Sequence, residues 1–159
     1  MSGKSVVIDA SAALKWRLRD EEATEGADLL LDDFLAGKLD LLTPTLFDYE
    51  ITNALKTAVV VNRLTEDDAL SAMRDFQEYA IERRDFWPIQ EAAFRMAYQC
   101  QRSVYDSAYL ALAQSEGLWF FTGDRRLFNA VSKLLPWVIW IGDYRFAALP
   151  KTASRQGNR

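Results

Sequence analysis

Four carboxylates stand out as candidates for chemistry: Asp9, Glu50, Asp106 and Asp124. Asp9 ends the apolar run Val6-Val7-Ile8-Asp9, and Asp124 follows Trp119-Phe120-Phe121-Thr122. Both fall at the carboxyl ends of predicted strands. Capping of the next helix is the competing role for each, because Asp oxygens accept from free N–H groups at helix starts. Asp106 lies in Val104-Tyr105-Asp106-Ser107-Ala108-Tyr109-Leu110-Ala111-Leu112-Ala113, otherwise almost wholly apolar or small. Such a helix is expected to be buried nearly all round, and a buried carboxylate needs a cation or several donors. No Lys or Arg follows Asp106 by one turn, and its competing role is again a cap. Glu50 flanks the Phe47/Ile51/Leu55 stripe, with Asn53 three residues on and facing a similar way. Alone, Glu50 reads as a solvated helix residue; its case depends on the other three.

Taken together, the four acids suit a hard cation. Mg²⁺ and Mn²⁺ prefer oxygen ligands, and Mg²⁺ keeps several waters while taking a few carboxylates and substrate phosphate. Clustered carboxylates repel one another, and a divalent ion relieves that repulsion. Such an ion can activate a water and stabilise the leaving oxygen of a phosphodiester. The chain has no His and a single Cys, Cys100. That excludes Ser-His-Asp and Cys-His catalysis and the usual zinc sites. There is no Walker loop, no G-x-G-x-x-G and no G-x-S-x-G elbow. Arg125 and Arg126 follow Asp124 and read as surface residues able to meet phosphate.

The elements that must position these acids alternate short β-rich runs with longer helical ones. Strands are expected at Ser5–Asp9, Leu39–Thr43, Asp85–Pro88, Leu118–Thr122 and Pro136–Ile141. Helices are expected from Ser11, as N-cap, through Trp16, then over Glu21–Ala36, Thr45–Asn62, Thr65–Glu82, Gln90–Gln101, Tyr105–Ser115 and Asp124–Lys133. Trp119, Trp137 and Trp140 read as core. Apolar strands alternating with helices predict a three-layer α/β/α sandwich around a central, mostly parallel sheet. In such sheets ligands gather beyond the carboxyl ends of the strands, where Asp9 and Asp124 fall.

The 159 residues are 50% apolar, enough for one domain, taken as residues 1–150, with a polar, basic and mobile tail from Lys151 to Arg159. A lone thiol, no signal-like segment and no apolar stretch of membrane-spanning length lead to the expectation of a cytoplasmic protein without membrane contact. A net charge of −4 argues against a protein that merely coats nucleic acid, and it suits a basic partner.

Four ordered motifs resemble the PIN-domain family, in particular its VapC-like toxins: Val7–Leu14, Tyr49–Leu55, Tyr105–Ala113 and Thr122–Leu127. Together they span most of the chain. The resemblance implies a PIN fold with Asp9, Glu50 and Asp106 as the main metal-site acids and Asp124 completing the site. It implies Ser11, Asn53 and Thr122 as supporting polar groups. It also implies an RNA substrate, an Mg²⁺- or Mn²⁺-dependent endoribonuclease activity, a homodimer, and an antitoxin protein that covers the pocket. Two alternatives stay open: a catalytically silent PIN-like module that binds RNA or protein, and a phosphatase with Asp9 as nucleophile. The phosphatase chemistry wants a second Asp two residues later, where this chain has Ser11.

Overall fold

The computed structural model describes residues 3–150; the basic tail expected over Lys151–Arg159 lies outside the described residues. In chain order the elements are β1 (Ser5–Ile8), α1 (Ala10–Leu14), α2 (Thr24–Leu35), β2 (Asp40–Pro44), α3 (Leu46–Val60), α4 (Glu66–Glu78), β3 (Glu82–Arg84), α5 (Gln90–Cys100), α6 (Val104–Glu116), β4 (Phe120–Thr122), α7 (Arg125–Val131) and β5 (Val138–Trp140). The strands form one sheet in the order β3-β2-β1-β4-β5, with every pairing parallel.

Strand alternation sends neighbouring side chains to opposite faces. Val6, Ile8, Leu41 and Phe121 join the core beneath α1 to α4, while Val7, Leu42, Phe120 and Val138 join the one beneath α5 to α7. Both faces of the short strands are thereby covered, which gives the expected α/β/α sandwich. The chain leaves β1 toward β2 on one side and returns to β4 on the other. The crevice between the ends of β1 and β4 is therefore the place where strand order reverses, the usual ligand site of open α/β sheets.

Several boundaries differ from the sequence-based expectation. The third strand lies at Glu82–Arg84, not Asp85–Pro88; Trp87–Ile89 forms a 3-10 turn instead. Pro88 lacks the N–H a ladder needs, and the charged Glu82-Arg83-Arg84 suits a sheet edge. α4 stops at Glu78 because Tyr79 turns extended, at φ −63° and ψ 131°. α2 starts three residues later than Glu21, behind Ala23 in the left-handed region. Trp140 is core, but Trp119 and Trp137 are only partly buried. No helix among the described residues is long and apolar enough to cross a membrane.

Gly26 lets α2 seat directly on the turn that follows β5. A Cβ there would overlap the Ile141 carbonyl oxygen and approach Gly142 Cα to 2.9 Å. Alanine is the better helix former by about 1 kcal/mol, yet the overlap is with backbone. Gly26→Ala is therefore expected to lower stability by about 1–3 kcal/mol, the usual cost of overpacking. Urea unfolding measures this, and a stabilised variant would show that α2 is not held against the turn.

Candidate active site

Asp9 leaves β1 as the N-cap of α1, a role the sequence reading gave to Ser11; its carboxylate accepts from Ala12 N at 2.9 Å. It is also 5% exposed, so capping does not exhaust its needs. Ser11 Oγ donates to Asp9 Oδ1 at 2.6 Å, and Thr122 Oγ1, from the end of β4, donates to Asp9 Oδ2. Gly123 N–H adds a longer contact of 3.4 Å to Oδ1 and a 3.0 Å bond to Ser11 Oγ. Thr122 Oγ1 in turn accepts from Asp124 N at 3.0 Å. The two hydroxyls thus stitch the end of β1 to the end of β4. Burial pushes the Asp9 carboxyl above the usual carboxylate range, while the bonds from Ser11, Thr122, Ala12 and Gly123 pull it back.

Asp124 caps α7: Oδ1 accepts from Arg126 N at 2.9 Å and Leu127 N at 3.1 Å, and among the described residues nothing bonds its other oxygen. Its other oxygen stays available for a ligand. Asp106 does not cap α6; Ser103 does, accepting from Asp106 N at 3.0 Å. The helix is fully buried only from Ser107 onward, and the Asp106 side chain is 28% exposed. Arg102, one turn earlier, pairs with it at 3.0 Å. The expected burial of Asp106 is thus not met, because the helix start emerges from the core, and its cation lies one turn before the acid, where the sequence reading did not look.

Glu50 is half-buried, and its partner is a residue that the sequence reading counted only as part of the apolar Asp106 helix. Tyr109 Oη donates to Glu50 Oε1 at 2.6 Å. Tyr109 is 2% exposed, stacks on Phe120 with centroids 5.9 Å apart, and its hydroxyl accepts from the Ala10 amide. The phenol therefore links Glu50 to the residue beside Asp9. Its polar tip in an otherwise apolar helix was the available signal, since a buried Tyr hydroxyl needs a partner. Burial raises the Glu50 carboxyl, the Tyr109 bond lowers it, and the charges of Asp9, Asp106 and Asp124 each raise it further. Glu50 thus lies within electrostatic reach of the other three acids.

The supporting residues divide. Ser11 and Thr122 are in the network, whereas Asn53 is exposed on α3 and bonds none of the acids. Arg125 and Arg126 are both exposed; Arg125 lies on the Trp140 ring, Cζ 3.9 Å from its centroid. Among the described residues no group of three or more acids stands close enough to hold a metal ion by itself. A cage is not what Mg²⁺ requires, since it is bound through one or two carboxylates plus waters and phosphates. The all-oxygen donor set and the free Asp124 oxygen fit such an ion.

Because the Glu50 carboxyl is held above its ordinary value, the folded chain binds that proton more tightly than the unfolded chain. The charged group therefore costs stability, a cost that is absent below the ordinary glutamate range and grows as pH rises through the folded value. In chelator, Glu50→Gln is expected to be more stable than the parent at pH 7, with the gap closing as the pH falls into the ordinary carboxylate range. Urea unfolding across pH reads this directly. A gap that widens on acidification would refute the repulsion described.

The family model described as PIN domain matches residues 6–134. The chain is 32% identical over 124 residues to "Ribonuclease VapC12" of Mycobacterium tuberculosis, covering 77% of this chain and 88% of that protein. It is 31% identical over 124 residues to "Ribonuclease VapC3" of Pyrobaculum aerophilum, covering 77% and 91%. The crystal structure of PAE2754 from Pyrobaculum aerophilum superposes with a TM-score of 0.59 at 26% identity, over 82% of this chain and 87% of that one. On this family match and these relatives, the chain belongs to the PIN-domain family and is VapC-like.

Proposed function

We propose that this protein is an Mg²⁺- or Mn²⁺-dependent endoribonuclease, the toxin of a toxin–antitoxin pair, acting through Asp9, Glu50, Asp106 and Asp124. Its relatives are named ribonucleases. The observation that supports the site assignment is geometric: at the sheet's switch point Ser11 and Thr122 hold Asp9, and Thr122 also accepts from the backbone of Asp124, the cap of α7. When bound, the ion would supply an activated water and stabilisation of the leaving oxygen. Asp9 and Asp124 would hold it from the strand ends, with Glu50 and Asp106 facing them from α3 and α6. Ser11 and Thr122 keep Asp9 oriented, and Tyr109 keeps Glu50 oriented. With no His for acid–base work, external water is the nucleophile, and the products carry 5′-phosphate and 3′-hydroxyl ends.

The phosphatase alternative fits poorly, because both Asp9 oxygens already accept bonds from the protein. Two observations favour a silent RNA-binding module: a bound ion would compete with Arg102 for Asp106, and no three acids of the described residues stand close enough to hold an ion by themselves. Activity assays separate that module from the nuclease. EDTA is expected to abolish RNA cleavage and Mn²⁺ or Mg²⁺ to restore it. Asp106→Asn is expected to lose at least about a hundredfold, on the scale of about 2.7 kcal/mol of barrier, while keeping its fold. Cleavage by metal-free protein, or 2′,3′-cyclic phosphate ends in mass spectrometry of the products, would overturn this mechanism.

A single domain over residues 1–150, a cytoplasmic location and a homodimer complete the reading. Trp87, Phe94 and Tyr98 are 76%, 65% and 81% exposed along α5 and the turn before it, a surface that another chain could cover. The net charge of −4 favours a basic antitoxin. Co-expression with the product of the adjacent gene is expected to give a tight, inactive complex. An active protein with no affinity for that product would count against the toxin assignment.

A further inference from the structure

Lys15 closes the last turn of α1 and is 2% exposed. Its stem is buried while the Nζ tip keeps slight contact with solvent, and no carboxylate of the described residues pairs with it. The one interaction its ammonium makes there is with the Trp140 ring, whose centroid lies 5.5 Å from Nζ. Long side chains on a helix run back toward its N-terminus, which for Lys15 is the Asp9 end. The contacts of Gly123 locate the stem. A Cβ on Gly123 would come 2.6 Å from both Lys15 Cε and the Ser11 carbonyl oxygen. The stem therefore lies against the turn that carries Thr122 and Asp124, and only glycine leaves it room. Arg125 occupies the same indole, 3.9 Å from its centroid. Two cations are thus gathered on one ring without forming an ion pair with any of the four acids; Arg125 makes only an exposed 3.5 Å pair with Glu22, of the kind that contributes little.

We propose that Lys15 and Arg125 form a phosphate subsite on Trp140, in which Lys15 takes a non-bridging oxygen of the RNA phosphate next to the one cleaved. The subsite rests on the reading of the four acids as the cleavage site. Lys acts as a point charge for phosphate, and Arg offers a planar fork that stacking on an aromatic face preorganises. A polyanion approaching clustered carboxylates needs cations fixed nearby, and an ammonium without a carboxylate partner has its charge free for that purpose.

The test uses the Asp106→Asn chain, with and without Lys15→Met, which keeps the apolar stem. Binding of a short, mixed-sequence single-stranded RNA is measured against salt. The slope of log affinity against log salt is expected to fall by about 0.7 in the Met variant, the share of one single-strand phosphate contact, and to be kept by Lys15→Arg. The difference should vanish for an oligomer with an uncharged methylphosphonate backbone. An unchanged slope overturns the subsite. So does a Met variant that binds Mn²⁺ more or less tightly while its RNA slope stays put, since that marks a role toward the carboxylates alone. If the variants fail to fold, the Nζ resonance of Lys15 in the Asp106→Asn chain decides: it must shift with RNA and not with the uncharged oligomer. Failure of the underlying site assignment looks different, because the Asp106→Asn chain would then cut the RNA.

Discussion

Asp9 is a carboxylate at a strand end with almost no access to water, and the site is organised by what that burial demands. A buried charge survives only with donors around it. Here they come from two places far apart in sequence: the start of α1, through Ser11 and the Ala12 amide, and the end of β4, through Thr122 and Gly123. That is possible only because β1 and β4 are adjacent parallel strands, with Ile8 beside Phe121. The sheet order thus has a direct chemical consequence, and so does the glycine at position 123. Its missing Cβ lets the β4 turn approach the Ser11 backbone closely enough for its N–H to reach the network.

Bringing Glu50 within electrostatic reach of three other acids stores repulsion in the folded chain. The donors divide the work of containing it. Hydroxyls and amides hold Asp9, Tyr109 holds Glu50, two amides hold one oxygen of Asp124, and Arg102 holds Asp106. None of these partners except Arg102 carries charge, so most of the negative field is retained rather than neutralised. A site preorganised this way gains from a divalent ion twice, once through coordination and once through relief of the repulsion. The rigid side of the arrangement is the sheet rim and the Tyr109–Phe120 stack. The adaptable side is Asp106, whose ion pair is partly open to water and whose screening weakens it.

The fold class was legible because alternation of buried strands with helices leaves few arrangements. Asp9 and Asp124 were legible for the same reason: strand ends are the functional rim of such a sheet. The edge strand was misplaced because Glu82-Arg83-Arg84 has no apolar signature, and edge strands depend on pairing rather than on burial. Tyr109 was hidden inside an apolar run, where one hydroxyl hardly alters the periodicity. Arg102 was missed by searching one turn in the wrong direction along a helix where both i−4 and i+4 are neighbours. Asn53 is the residue whose expected place the structure does not bear out. Its spacing from Glu50 suggested a shared direction, yet α3 turns it to the outer surface. Spacing places residues on a face; it does not say which face the sheet will cover.

An acidic protein that binds RNA must reconcile a net charge of −4 with a polyanionic substrate. Salt screens charges beyond about 8 Å at physiological strength, so distant acidic residues on α2 and α4 matter little to RNA at the rim. What counts is the charge within that radius. There the chain places Arg102 against Asp106 and Arg125 over the Trp140 ring and 3.5 Å from Glu22, one residue from Asp124. Their guanidinium groups are held by an i,i+4 pair and by an aromatic face, so little rotamer freedom remains to be lost when phosphate arrives. Fixed acids for a cation and fixed cations for phosphate can therefore share one rim, provided that neither set neutralises the other completely. The partial exposure of the Arg102–Asp106 pair, 27% and 28%, leaves that pair weak enough to exchange partners. On this account the overall acidity of the chain says little about its substrate, and the local alternation of charge around the end of the sheet says most.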